Sequence, residues 1–318
     1  MAAADHNMIK RSARSGARVT PPLITVTLAA ATALALAGCA GTPPAGSSPA
    51  AANGPSLVVI QEDDAAHETA QSQTAASTVP KENEAEANTA QTPEDAKAAL
   101  DQAVAAIEAK GITVAYVLSD LATGKTIEYN ADEVFYSASS VKGLYCVSLL
   151  RAMGSQVRGK YDSTIRACLV NSDNDAYRTL RKTFYGKTFF RDFGAEAGVD
   201  IDLTHWYSYY SVRDLANLWA VADRWLTAGS DDAAWVGGLL GNTLNSQVDD
   251  CAGGDGINTW SKAGWFSGGG ESPVTIDGGA VHTDTGDYTI AVAVNRGSDF
   301  KAIKSVMEPL IAVYRTAS

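Results

Sequence analysis

The stretch Phe135–Tyr136–Ser137–Ala138–Ser139–Ser140–Val141–Lys142–Gly143–Leu144–Tyr145–Cys146 decides how the rest of the chain is read. Its pattern is that of a buried helix running from about Ser139 to Met153, with Ser139 and Lys142 three positions apart on one face. A serine hydroxyl is a weak nucleophile near neutral pH unless a base stands within hydrogen-bond reach. A lysine serves as that base only when burial or a second cation lowers its pKa. The spacing supplies the geometry; the surroundings must supply the shift. Taken alone, the pair also fits an N-cap serine followed by a solvated lysine.

Two further stretches change the balance. Ser172–Asp173–Asn174 follows a short apolar run, and Lys262–Ala263–Gly264 lies inside the strand-like Thr259–Trp260–Ser261–Lys262–Ala263–Gly264–Trp265–Phe266. Singly, the first fits a helix cap and the second an edge-strand charge. In the order Ser-x-x-Lys, Ser-Asp-Asn, Lys-x-Gly they resemble the active-site set of the penicillin-recognising serine enzymes, which include class A β-lactamases, D-alanyl-D-alanine carboxypeptidases and penicillin-binding proteins. The resemblance spans roughly residues 96–318.

That resemblance implies acyl transfer. Ser139 attacks an amide carbonyl in a β-lactam or a D-alanyl peptide, and Lys142 accepts its proton, helped by like-charge repulsion from Lys262. Ser172 relays a proton to the leaving nitrogen. Asn174 bonds the acyl-side amide of the substrate and holds Lys142. The backbone N–H groups of Ser139 and of Trp265, the residue after Gly264, form the oxyanion hole. Lys262 also supplies positive charge for a substrate carboxylate. The family needs no cofactor, and no spacing in the chain suggests a metal site.

Departures from the family pattern accompany the match. Ala263 replaces the hydroxyl residue usual between Lys and Gly. The first two motifs stand closer together than in typical class A enzymes, so the helical subdomain is trimmed. Class A enzymes activate the deacylating water with a glutamate in Glu-x-x-Leu-Asn. Between Ser172 and Lys262 only Glu196 is available, in Glu196–Ala197–Gly198–Val199–Asp200. It reads better as a solvated loop carboxylate, so slow hydrolysis of β-lactams is expected. His205–Trp206–Tyr207–Ser208–Tyr209–Tyr210 is either an aromatic wall of the cleft or ordinary packing under a loop.

Working outward, the globular part starts near Pro93–Glu94–Asp95. A helix with Leu100, Val104 and Ile107 on one face stops at Gly111. A hairpin of strands at 112–118 and 126–129 follows. Helices at 162–170, from about Asn174 and at 212–226 make up the middle. Strands at 258–266, near 273–282 and 286–295, and a helix at 299–314 close the chain. This order implies an α/β (α+β) domain: an antiparallel five-stranded sheet assembled from both ends and flanked by helices. It is the order of the β-lactamase/transpeptidase fold.

The N-terminal third reads differently. Lys10, Arg11, Arg14 and Arg18 precede an apolar run from Pro22 to Gly38, the make-up of a signal peptide over residues 1–38. Leu36–Ala37–Gly38–Cys39 resembles a bacterial lipobox, which implies lipidation of Cys39 and export to the outer face of the cytoplasmic membrane. Residues 41–94 contain no Phe, Tyr, Trp, Met or Cys, so residues 39–94 are expected to be a disordered tether. Domain 95–318 is then the enzyme. The formal net charge of −11 argues against nucleic acid as a partner. The expected partners are a β-lactam or peptidoglycan stem peptide, and a membrane through the lipid anchor only.

With Cys39 lipidated, Cys146, Cys168 and Cys251 remain. A Cys146–Cys168 bridge, loosely like one in some class A β-lactamases, stands beside two separate buried thiols as the alternatives. His205 and His282 read as surface or rim residues, and no Gly-x-Ser-x-Gly elbow is present. The Gly–Lys pairs at 124, 159 and 186 lack the leading glycine or the trailing hydroxyl of a phosphate loop. Two other readings stay open: a non-catalytic receptor for β-lactams or wall peptides, and a plain adhesin or solute-binding lipoprotein.

Overall fold

The computed structural model describes residues 92–202 and 204–317. The expected signal peptide, Cys39 and nearly all of the expected tether lie outside the described residues. Helix α1 (Pro93–Glu108) opens with the Thr92 hydroxyl accepting the Asp95 N–H and with proline in its first turn. The hairpin β1 (Val114–Asp120) and β2 (Thr126–Tyr129) follows, then a short strand β3 (Val134–Tyr136). A 3-10 turn over Ala138–Ser140 leads into α2 (Val141–Met153). Helices α3 (Ser155–Val170), α4 (Asn174–Thr183) and α5 (Phe189–Glu196) form the middle, and β4 (Tyr209–Ser211) returns to pair with β3. After α6 (Val212–Leu226), α7 (Asp231–Leu240) and α8 (Gln247–Ala252) come β5 (Asn258–Ser261), β6 (Gly264–Phe266), β7 (Val274–His282), β8 (Tyr288–Val294) and α9 (Phe300–Ala317).

The main sheet runs β2-β1-β8-β7-β5, with β6 also on β7, every pair antiparallel. Ser261 faces Gly279 and Gly264 faces Ile276, so the register passes unbroken through Lys262 and Ala263. The edge therefore occupies one position and the sheet has five, as expected. Alternation along β1 sorts its side chains to two cores. Ala115 and Val117 join the core under α2 and α6, while Val114, Tyr116 and Leu118 join the one under α1, α8 and α9. Helices thus cover both faces, and α2 is central.

Several boundaries differ from the sequence reading. Ser139 is not the first residue of the α-helix but the middle of the 3-10 turn. The helix expected at 162–170 begins at Ser155 and carries a kink at Tyr161. The short elements α5, α7, α8, β3 and β4 were not anticipated. Among the described residues no helix is long and apolar enough to cross a membrane.

Candidate active site

Ser139 sits half-buried on a backbone bent to hold it. The preceding Ala138 has φ +44°, a left-handed value costly for a residue with a Cβ. Three contacts hold this turn. The Tyr210 phenol donates to Ser140 Oγ, which donates to Ser137 O at 2.7 Å. The Ser137 N–H bonds Ser208 O at 3.0 Å. Gly264 of β6 then packs directly on the turn. A Cβ there would lie 2.5 Å from Ser137 O and Ser140 N and 2.8 Å from Ser139 N, so only glycine lets the edge strand approach the serine this closely.

Lys142, one turn on, is fully buried in α2. Its Nζ donates to Ser172 O at 2.6 Å and to Asn174 Oδ1 at 2.7 Å. Burial lowers its pKa to about 8. Lys262 is buried too, and its Nζ donates to Ser172 Oγ at 3.1 Å and to Ala263 O at 2.9 Å. Burial first, and the Lys142 charge second, bring it down to about 7. Ser172 also adopts a left-handed φ of +56°, just before Asp173 caps α4 by accepting the Ala176 N–H at 2.7 Å. The two amines and Ser172 therefore meet on one face of the α2 N-terminus, as the three motifs required.

Other residues shape this centre without having been singled out in the sequence. Gly143 lies in contact with the Lys262 stem, where a Cβ would be 3.0 Å from Lys262 Cβ. Asp277 on β7 is buried, accepts from Ser246 Oγ and the Gln247 N–H, and is pushed up to about 7 by burial. Its carboxylate also acts on Lys262. The signals were faint: a glycine inside an apolar helix, and an acid in a strand otherwise free of charge.

The segment 205–210 does line the site. Tyr207 donates to Asn174 Oδ1 at 3.1 Å, and the Tyr136 ring contacts those of Tyr207, Tyr209 and Phe266 at 6.0, 5.5 and 5.6 Å. Buried Arg181 fixes the segment by donating to Trp206 O and His205 O at 3.2 and 3.3 Å. Glu196 is committed elsewhere, in ion pairs with Arg151 (2.7 Å) and Arg224 (3.0 Å), which hold its carboxyl below the usual range. Among the described residues, Asp173 is the one carboxylate whose charge registers on Lys142. His205 is exposed beside Asp202, and His282 bridges Asp223 and Asp287.

The bridge between Cys146 and Cys168 is corrected. Both are free buried thiols with sulfurs 3.9 Å apart, in contact yet far beyond the S–S bond length of about 2.0 Å. Among the described residues no group of three or more His, Cys, Asp or Glu is placed to hold a metal.

Solved structures share this architecture. A β-lactamase from Sphaerobacter thermophilus aligns over 69% of this chain and 96% of its own, with TM-score 0.55 and 21% identity. The chain has the β-lactamase fold. A variant of the last common ancestor of Gram-negative bacteria class A β-lactamase covers 70% of this chain and all of its own, at TM-score 0.56 and 16% identity. PBP-A, solved as an acyl-enzyme complex with penicillin G, covers 69% and 97% at TM-score 0.55 and 16% identity. Residues 96–163, which include Ser139 and Lys142, match the sequence model of the beta-lactamase enzyme family. That match joins the β-lactamase fold in supporting a place among the β-lactamase and penicillin-binding serine hydrolases. No curated protein sequence matches the chain.

Proposed function

We propose that the protein is an exported serine acyl-transfer enzyme that opens a β-lactam or D-alanyl amide through Ser139. The observation that carries this reading is the convergence of Lys142 and Lys262 on Ser172 beside the Ser139 turn. Ser139 Oγ attacks the carbonyl carbon and passes its proton to neutral Lys142. The C–N bond breaks, and Ser172 hands a proton to the departing nitrogen and is resupplied through the lysines. Backbone N–H groups of Ser139 and Trp265 hold the developing oxyanion, each such donor contributing roughly 10²–10³ in rate.

Hydrolysis of the resulting ester is slow in this reading, because Glu196 is held in surface ion pairs and no carboxylate accompanies Lys142 from the acyl side. The same feature favours, as second reading, a receptor that keeps its ligand. Labelling with a fluorescent penicillin followed by mapping of the adduct tests both. The enzyme reading expects an adduct on Ser139 that Ser139→Ala abolishes. A non-covalent receptor keeps its affinity in that variant, and a plain adhesin or solute binder shows no adduct at all. Attachment through Cys39 belongs to the same proposal: Cys39→Ser is expected to move the protein from the membrane fraction to the soluble one.

A further inference from the structure

The wall of the cleft beside the proton-delivering pair is apolar. The Trp265 indole lies 5.8 Å from Lys262 Nζ and meets the Phe300 ring edge-on at 5.4 Å. Both rings are half-buried, and Ala263 adds only a methyl. The polar groups framing this wall are already engaged. Thr275, opposite Trp265 on β7, donates to Arg296 O at 2.6 Å and accepts the Asp299 N–H at 2.8 Å. The Ser267 and Ser298 hydroxyls pair with each other at 3.3 Å. Arg296 turns to Asp299 at 3.7 Å.

Lys262 is no free cation for a ligand either. It is fully buried, two of its N–H bonds go to Ser172 and Ala263, and the carboxylate of Asp277 already acts on it. A carboxylate entering this wall would shed its hydration without a cation or a set of donors to replace the water, which disfavours it strongly. Two aromatic rings set edge to face instead reward contact with a flat or apolar group.

We infer that the leaving side of the substrate is uncharged, an amide- or ester-capped or otherwise neutral group that packs on Trp265 and Phe300. The inference rests on the acyl-transfer reading of Ser139 and narrows its substrate class. It also revises the expectation that Lys262 receives a substrate carboxylate.

The test exposes the full-length protein to benzylpenicillin and to its methyl ester, which differ in the charge of that one group, and follows Ser139 modification by intact mass. The ester is expected to react at least as fast as the free acid. Phe300→Arg sets a guanidinium beside Trp265 and is expected to raise the acid-to-ester ratio by about tenfold or more, the effect of one charge-assisted hydrogen bond. Because the ratio is taken within one preparation, partial unfolding of the variant does not alter it. An acid that outpaces its ester by about tenfold in the unaltered protein overturns the inference while leaving acyl transfer standing. A ratio that Phe300→Arg leaves unchanged counts against it as well. If neither compound modifies Ser139, the acyl-transfer reading falls and takes this inference with it.

Discussion

Lys142 and Lys262 grip the same residue by different atoms: one holds the Ser172 carbonyl at 2.6 Å, the other its hydroxyl at 3.1 Å. Two ammonium groups placed so close cannot both stay charged at ordinary cost, and burial adds to the penalty. The sharing of Ser172 thus both assembles the proton path and keeps an amine neutral near physiological pH.

Acylation should therefore rise with pH. An amine accepts a proton only in its neutral form, which is scarce below its pKa and complete above it. With Lys142 near 8, the second-order rate of penicillin acylation is expected to climb through that region and level off above it. A profile flat across both lysine pKa values would remove Lys142 as the base. Lys142→Met should lower the rate by roughly 10²–10⁴.

Gly143→Ala separates packing from propensity. In an exposed helix interior, replacing glycine by alanine stabilises by about 0.5–1 kcal/mol. At Gly143 the new methyl meets Lys262 Cβ at 3.0 Å, an atom rooted to the backbone that cannot swing aside. Gly238→Ala on α7, with nothing within 4 Å, is the matched control and should gain that stability. Gly143→Ala should lose acylation by about tenfold or more as Lys262 is displaced from Ser172. Melting curves and acylation rates of the two variants read the contrast.

Thiol chemistry should be silent until the protein unfolds. Burial and the neighbouring Cys168 push the Cys146 thiol well up, and burial lifts Cys251 to about 12. Since the thiolate is the reactive species, the native domain is expected to resist a thiol reagent. In denaturant Cys146, Cys168 and Cys251 should all react, as free cysteines do. An oxidised pair in freshly purified protein would show as two missing equivalents.

His282 should make stability fall as pH rises. Its Nε2 and Nδ1 lie 2.7 and 3.0 Å from carboxylates of Asp223 and Asp287, and these raise its pKa above the ordinary 6.5. The Trp260 ring packs on it edge-on at 4.9 Å. A folded pKa above the unfolded one means that the contribution is complete below about 6.5 and is lost as pH climbs through the raised value. Denaturation midpoints of His282→Gln and the unaltered protein should therefore differ more at mildly acid pH than at alkaline pH.

Much of this was legible in the sequence, for identifiable reasons. Strands β1, β7 and β8 are long apolar runs, and α6 has strong helical periodicity, so type and order could be read directly. Ser139, Lys142, Ser172, Asn174 and Lys262 announced themselves through spacing and order. What stayed hidden depends on contacts distant along the chain or on backbone angles. The left-handed Ala138 leaves no mark in the sequence, so the 3-10 turn read as helix. The role of Gly143 depends on Lys262, and that of Ser140 on Tyr210. Cysteine spacing places Cys146 and Cys168 near each other but does not say whether their sulfurs are bonded. Three-residue strands such as β3 and β4 carry too little periodicity to register.

Helix α4 begins at Asn174 beside Lys142 and carries, near its other end, the Arg181 guanidinium that clasps the carbonyls of residues 205 and 206. Tyr207 then reaches back to Asn174, closing a ring of contacts through helix and loop. Rod and loop are in effect a single lever. Any ligand that takes the Asn174 amide for itself must unseat Tyr207, and the disturbance travels to a guanidinium a helix-length away, so damage to either end should be felt at both.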